Sequence, residues 1–401
     1  MLRIFLTASI LFVGSLASAA DWPQFRGLNG TGTSDEKGLP ELVDKPESIK
    51  WQVDLPGRGV SSPVIVGGKI FITCSDGKRD DRLHTVAFDG ATGKQLWHRT
   101  LISTGITAAH PKTAMAAPTP VADAKAVYAL FATGDLACYS HDGLLLWYRS
   151  LTGDYPSISN VVGMASSPVL VKDKLIVPMD NSGDSFIAAL DVKTGTNVWK
   201  EPRPRESCWI TPTVRELTSE DTEVLCQNIK ELAAYDLRTG KKKWSEKLPG
   251  QVPMLTVSEG MMMVASGGVK MLKPAAEGKF EEVWKSAKLQ TGYSTPLLYD
   301  GQVFAANPAG VVYCADAKTG KPVWEERIKG AKQTFSSSPI AGDGKVYVVT
   351  ETGTLCVFKS GAKEADLLSS VELKQTCLAT PALSNGKLYV RAETKLICIG
   401  K

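Results

Sequence analysis

Short apolar runs rich in Val, Ile, Tyr and Phe recur along the whole chain, each closed by Gly, Asp, Asn or Pro. Between residues 295 and 328 the pattern reads TPLLYD, a GQ turn, VFAANP, GVVYCAD and PVWEERI, which predicts four consecutive strands. No segment carries a long 3.6-residue apolar period, so helices are expected to be few. Two phrases punctuate these runs. One is Asp-x-x-Thr-Gly with a Trp eight residues after the Asp, as DGATGKQLW at 89, DVKTGTNVW at 191, DLRTGKKKW at 236 and DAKTGKPVW at 316. The other is Ser or Thr before Pro at the head of an apolar stretch, as SSPV at 61, PTPV at 118, SSPV at 166, TPTV at 211, STPL at 294, SSPI at 337 and TPAL at 380. A degenerate copy, VPMLTV, begins at Val252 and brings the units to eight.

The tryptophans keep the same time. Trp51, Trp97, Trp147, Trp199, Trp244, Trp284 and Trp324 lie 40 to 52 residues apart, the period of a four-stranded propeller blade. The predicted fold is all-β, an eight-bladed β-propeller of four-stranded antiparallel blades, because a ring leaves only short, protected sheet edges. Trp51 stands before the first complete unit, while the last unit ends after its third strand without a Trp. The N-terminal strand around Trp51 is therefore expected to join the C-terminal blade and close the ring. Gly93, Gly195, Gly240 and Gly320 supply the positive φ of a tight turn, and the Asp and Thr of each phrase bond nearby backbone N–H groups. The Trp that follows packs between neighbouring blades. The repeated phrase reads as a structural joint rather than a ligand loop.

The first residues change the picture only in where the protein works. One cation, Arg3, precedes an apolar run and then small residues, with Ala17 and Ala19 at the −3 and −1 positions of a cleavage site. Residues 1–19 read as a signal peptide, cleaved after Ala19 or Ala20, and 20–401 as a single propeller domain with an extension over 20–50. No later run is long enough for a membrane helix, and no cysteine follows the small residues. The expected product is exported, periplasmic or secreted, and monomeric. A net charge of +4 with no basic tract beyond GKKKW argues against a nucleic-acid partner.

Cys138, Cys314, Cys356 and Cys398 sit inside apolar runs, the last three each 42 residues apart, and Cys208 and Cys377 each precede the Thr of a Thr-Pro by three residues. Such regular placement predicts buried free thiols acting as compact hydrophobes. A disulfide involving Cys74, Cys208, Cys226 or Cys377 is the alternative in an exported chain.

The unit SSPV…GK-(I/V)-(F/Y)-(I/V)…D-x-x-T-G-K-x-x-W resembles the pyrroloquinoline quinone (PQQ)-type propeller repeat, also called the tryptophan-docking repeat. The stretch DWPQFRGLNGTG is similar to the start of many exported proteins of that kind. The resemblance covers residues 21 to 401. It implies either of two functions, since the family holds quinoprotein dehydrogenases and the non-enzymatic lipoprotein of the outer-membrane β-barrel assembly machinery. The dehydrogenases typically carry adjacent cysteines against the cofactor, a Trp beneath it, and Glu, Asn and Asp around Ca²⁺. This chain has no Cys-Cys pair and no C-x-x-C-H haem site. The expectation is accordingly a non-catalytic interaction scaffold of the cell envelope with protein or peptide partners and no cofactor. The alternatives are a PQQ-binding oxidoreductase with Ca²⁺ and a binder of glycans or envelope polymers, the last resting on exposed Tyr155 and Trp209.

The least repetitive stretch, 153 to 209, carries the candidate chemistry. Asp154, Asn160, Asp180, Asn181 and Asp184 fall in loops, and Asp180, Asn181 and Asp184 have the oxygen chemistry of a hard-cation site. Arg203, Arg205 and Trp209 suit a planar anion such as a cofactor. The plainer reading has the Asp and Asn serving turns and the arginines pairing with carboxylates. His84, His98 and His141 adjoin turns or fourth strands and are expected at the surface. His110, in a long insertion before the second unit, can reach the axial opening. The glycines of GLNGTG lack the flanking strand and helix of a dinucleotide site and read as a turn.

Overall fold

A computed structural model describes residues 21–159, 163–275, 280–330 and 334–401. The signal-peptide reading of 1–19 and the candidate Asn160 lie outside those residues. Eight sheets follow one another around a ring, six of them built only from four consecutive antiparallel strands. Blade 1 is Val64–Val66, Lys69–Asp76, Arg82–Asp89 and Gln95–Ile102. Blades 2 to 4 begin at Val121–Ala122, Val169–Val171 and Thr213–Glu216, and blades 5 to 7 at Thr256–Ser258, Leu297–Tyr299 and Ile340–Gly342. The short first strands of adjacent blades touch each other and form the inner ring. Helix is confined, among the described residues, to one four-residue turn and two 3-10 turns.

Blade 8 closes the ring. Its first three strands, Ala382–Ser384, Lys387–Arg391 and Lys395–Ile399, come from the C-terminus, and its outer strand Ile49–Asp54 from the N-terminus. Trp51 lies opposite Cys398 in that pairing. The same cross-strand pair recurs as Ala87 with Trp97, Cys138 with Trp147, Ala189 with Trp199, Ala234 with Trp244 and Cys314 with Trp324, each beside a register shift. In these six blades a small buried partner leaves room for the indole at the pleat, so Cys alternates with Ala there, whereas blade 5 has Met271 opposite Trp284. Blade 7 has Ser370 opposite Cys356 instead. All eight cysteines are free and buried.

Most of these indoles then lie on the turn of the next blade, whereas Trp324 stacks on Phe358 at 5.5 Å. A Cβ on Gly240 would come within 2.6 Å of the Trp199 ring, and one on Gly195 within 2.7 Å of Trp147, with φ of +70 to +75° at both positions. The indole N–H of Trp199 donates to the Leu237 carbonyl at 2.9 Å, and that of Trp147 to Val192 at 3.0 Å. Only glycine combines the left-handed backbone with a bare surface for the ring. Trp51 with Gly93 and Trp284 with Gly320 repeat the arrangement. Trp244 departs from it, bonding Glu223 Oε1 at 3.0 Å and meeting Phe280 edge-on at 5.2 Å, because blade 5 has no Thr-Gly turn.

The Asp of the phrase organises that turn. Asp316 accepts from the backbone N–H and hydroxyl of Thr319 at 2.8 and 2.7 Å, and Asp191 does the same with Thr194. Hydroxyl donation from Thr92, Thr194 and Thr319 holds Asp89, Asp191 and Asp316 below the usual carboxylate range. A lowered folded pKa stabilises above the unfolded value and is lost as pH falls through the folded one. The melting temperature is therefore expected to fall on acidification from about pH 4 downward. Replacing all three Asp by Asn should make that acid limb shallower, and an unchanged slope in a thermal scan would refute the assignment.

The extension is part of the fold. Trp22 bridges Ile65 of blade 1, Thr33–Ser34 adds a parallel strand to the inner edge of blade 7, and Leu39 and Val43 are buried. Glu36 accepts from the N–H groups of Asn385 and Gly386. The segment thus crosses the face bearing the hairpins between first and second strands.

Candidate functional site

The Ser/Thr-Pro phrases meet at the axis. The Thr119 hydroxyl accepts from the Ser62 N–H at 2.9 Å, Ser167 from Thr119 at 3.0 Å, and Thr211 from Ser167 at 3.0 Å. On the other side Thr295 accepts from Met254, Ser338 from Thr295 and Thr380 from Ser338, at 2.9 to 3.1 Å. Each hydroxyl satisfies a backbone donor freed where a blade enters the inner ring. In blade 5 Met254 stands at the equivalent position and supplies an apolar wall.

This girdle surrounds an axial cavity of ≈ 490 Å³. Phe25 and Met254, packed with Cys208 and Ile210, line its inner end. Behind them Arg26 is fully buried and donates to the carbonyls of Gly30, Thr31, Thr295, Pro296 and Pro339 at 2.9 to 3.4 Å. Burial pulls its guanidinium down to about 9, so it remains a cation at neutral pH held by carbonyl dipoles. The extension therefore plugs one end of the channel. Beyond it, between the extension and the hairpins of blades 3 to 5, lies a hollow of ≈ 670 Å³.

The open end carries the polar groups. His110 and Lys112 come from the insertion between blades 1 and 2, and Trp209, Tyr293 and Ser336 from the approaches to blades 4, 6 and 7. Lys112 reaches Glu351 of blade 7 at 2.8 and 3.0 Å, and Ser336 donates to the same carboxylate at 2.6 Å. Burial raises the Glu351 carboxyl, but the bonds from Lys112 and Ser336 outweigh it and leave it below its ordinary value. An ion pair thus ties the insertion to blade 7 at the mouth. His110 is exposed, its Nδ1 accepting from the Lys112 N–H at 3.2 Å.

Of the described residues singled out between 153 and 209, only Trp209 lines the axial cavity. Its indole donates to Gly163 O at 2.8 Å. Arg203 instead forms a buried two-pronged pair with Asp180, at 2.6 and 2.9 Å, and also donates to Gln227 O. Asn181 braces its own loop, accepting from Ser159 and Gly183 N–H and donating to Met179 and Asp184 O. The Asp184 carboxylate pairs with Lys200 at 3.2 Å, Asp154 pairs with Arg149 at 2.6 Å, and Arg205 is exposed. No three His, Cys, Asp or Glu converge into a metal-binding group among the described residues. Tyr155 and Trp209 are both half-buried. Lys112 and Glu351 escaped the sequence reading. The signal for Lys112 was its place two residues from His110 in the insertion, whereas nothing local marks Glu351.

A second feature lies on the rim. Outer strands present an unpaired edge, and seven of the eight interrupt the positions before the Trp, or before Ser370 in blade 7, with polar residues, such as Lys241, Lys242 and Lys243 of blade 4. Blade 2 has Leu144, Leu145 and Leu146 there, 67%, 45% and 50% exposed. Ile102 and Ile106, 66% and 56% exposed, lie at the end of and just after the outer strand of blade 1.

A family profile described as outer membrane protein assembly factor BamB matches residues 33–178, 86–257 and 265–368. Polyvinylalcohol dehydrogenase of Sphingopyxis sp. (strain 113P3) is 22% identical over 394 residues, covering 83% of this chain and 54% of that protein. Outer membrane protein assembly factor BamB of Legionella pneumophila (strain Paris) is 24% identical over 213 residues, 50% of this chain and 52% of that one. The chain spans about half the length of these two curated relatives. The crystal structure of BamB from Moraxella catarrhalis superposes with a TM-score of 0.62 at 14% identity, covering 88% of this chain and 97% of that one, a likeness of fold.

Proposed function

The chain belongs to the family of the outer membrane protein assembly factor BamB, and from that premise we propose that it is a non-catalytic exported scaffold that holds a protein or peptide partner in the cell envelope. The observation that carries the proposal is the apolar outer edge of blade 2. An exposed strand edge with three consecutive leucines is a template for pairing, which proteins ordinarily blunt with charge or Pro. Contiguous exposed apolar surface marks interaction sites, and an extended segment adding to such an edge gains main-chain hydrogen bonds.

The test is a photo-crosslinking residue at position 145 in the producing cell. One discrete partner band is expected, lost in Leu144→Lys/Leu146→Lys protein whose melting temperature is unchanged. Crosslinking that the lysines do not alter would refute the edge as the docking site.

A second reading, an oxidoreductase binding PQQ with Ca²⁺, draws on the likeness to polyvinylalcohol dehydrogenase and on Trp209 at the axial cavity. The donor set supports the scaffold instead. The Glu351 carboxylate at the mouth is already engaged by Lys112 and Ser336, and Asp180 by Arg203. Ca²⁺ needs six to eight oxygens, and Arg203 and Asp180, proposed from sequence for cofactor and cation, satisfy each other. Calorimetric titration with PQQ, with and without Ca²⁺, is expected to give no heat. Tight, Ca²⁺-dependent, one-to-one binding would overturn the scaffold reading.

A further inference from the structure

Blade 1 carries a polar row that the scaffold does not use. Asp76, His84, His98 and Thr100 project on one face of its second, third and fourth strands, with His84 opposite Thr100 and His98 two positions along. Although the sequence places His84 at a turn, the side chain is buried, 5% exposed. Its Nε2 meets Asp76 Oδ1 at 2.8 Å. Arg82 grips the same carboxylate at 2.7 Å through both Nε and Nη2. An ionised carboxylate only accepts, so His84 carries a proton on Nε2, and in the neutral ring Nδ1 presents a bare lone pair. That lone pair faces His98 Nε2 at 3.0 Å and Thr100 Oγ1 at 3.0 Å, and the last two are 3.5 Å apart.

Three potential ligand atoms thus converge, with His84 buried, His98 half-buried and Thr100 exposed. We propose that His84 Nδ1 and His98 Nε2 form a binding site for a divalent late transition-metal ion, with the Thr100 hydroxyl beside it and water completing the coordination. Two metal–nitrogen bonds of about 2.0–2.1 Å spanning the observed 3.0 Å enclose roughly 90°, the angle between neighbouring positions of a square-planar or octahedral ion. Cu²⁺ is the tightest-binding member of that series. Asp76 is a positioning residue: a carboxylate on the far nitrogen of a ligating imidazole fixes its tautomer and raises its basicity. Two cations face the site. Arg82 is neutralised by Asp76, and Arg99 is drawn away to the carbonyls of Gly143 and His98. The ordinary alternative is a single proton shared between the two rings.

The experiment titrates the purified protein with Cu²⁺ near neutral pH, read by calorimetry and by electron paramagnetic resonance. One ion per chain with two equatorial nitrogens is expected. His98→Gln, a substitution at the half-buried ring that should leave the melting temperature unchanged, is expected to abolish the two-nitrogen signature and weaken binding at least tenfold. Asp76→Asn should weaken it by about 10–100-fold while keeping the signature. As a readout independent of any variant, Cu²⁺ should protect His98 from diethyl pyrocarbonate. Binding that His98→Gln leaves unaltered, no binding at all, or undiminished His98 modification would each overturn the proposal.

Discussion

Asp180→Ala is expected to lower the unfolding free energy by about 3–5 kcal/mol, the range for removing one partner of a buried ion pair. Arg203 and Asp180 have side chains 0% and 2% exposed. Without the carboxylate the guanidinium keeps, among the described residues, Gln227 O at 3.1 Å and the Tyr235 hydroxyl at 3.4 Å, and its charge stays buried. The loss arises from the stranded cation more than from the attraction itself. Arg203→Met/Asp180→Leu should therefore recover most of the stability, since apolar replacement of both partners is often neutral. Urea unfolding of the three proteins decides it. A double variant no more stable than Asp180→Ala would show that the pair stabilises in its own right.

Trp199→Ala is expected to cost a similar amount, about 3–5 kcal/mol, because a buried indole leaves a cavity that a rigid sheet cannot fill. Trp199 is 7% exposed and packs among Val169, Ile187, Val224 and Tyr235. The partner substitution is more diagnostic. Gly240→Ala puts a Cβ 2.6 Å from that ring at a φ of +75°. In the Trp199 protein it pays for both strain and clash, whereas in the Trp199→Ala protein only the backbone term of about 1–2 kcal/mol remains. The two changes should be non-additive by about 0.5–3 kcal/mol, as contacting residues are. Additivity in a thermal or chemical denaturation cycle would mean that the indole does not dock on Gly240.

These two sites differ in how far the sequence revealed them. The Trp199–Gly240 joint was legible because its parts recur at fixed spacing, and Trp51 with the unfinished last unit announced ring closure for the same reason. The ion pair was half-legible. Arg203 and Asp180 stood out as charged residues in an irregular stretch, but sequence assigned them to an anion and a cation rather than to each other. His84 was read as a surface residue, yet it lies under Asp76 and His98 because three neighbouring strands turn the same face at that level.

The chain's own pattern settled the blade count, the strand order and the docking joints, since each depends on residues repeated from one unit to the next and on turn chemistry that Gly, Asp and Thr supply. What the ring alone decided are meetings between residues far apart in the chain. Lys112 reaches Glu351, Arg26 reaches the carbonyls of Thr295 and Pro339, and the extension plugs the channel. No local periodicity encodes these. Each partner is chosen by where closing a circle of eight sheets brings two loops together, and by the need of a buried charge or lone pair to find whatever is within reach.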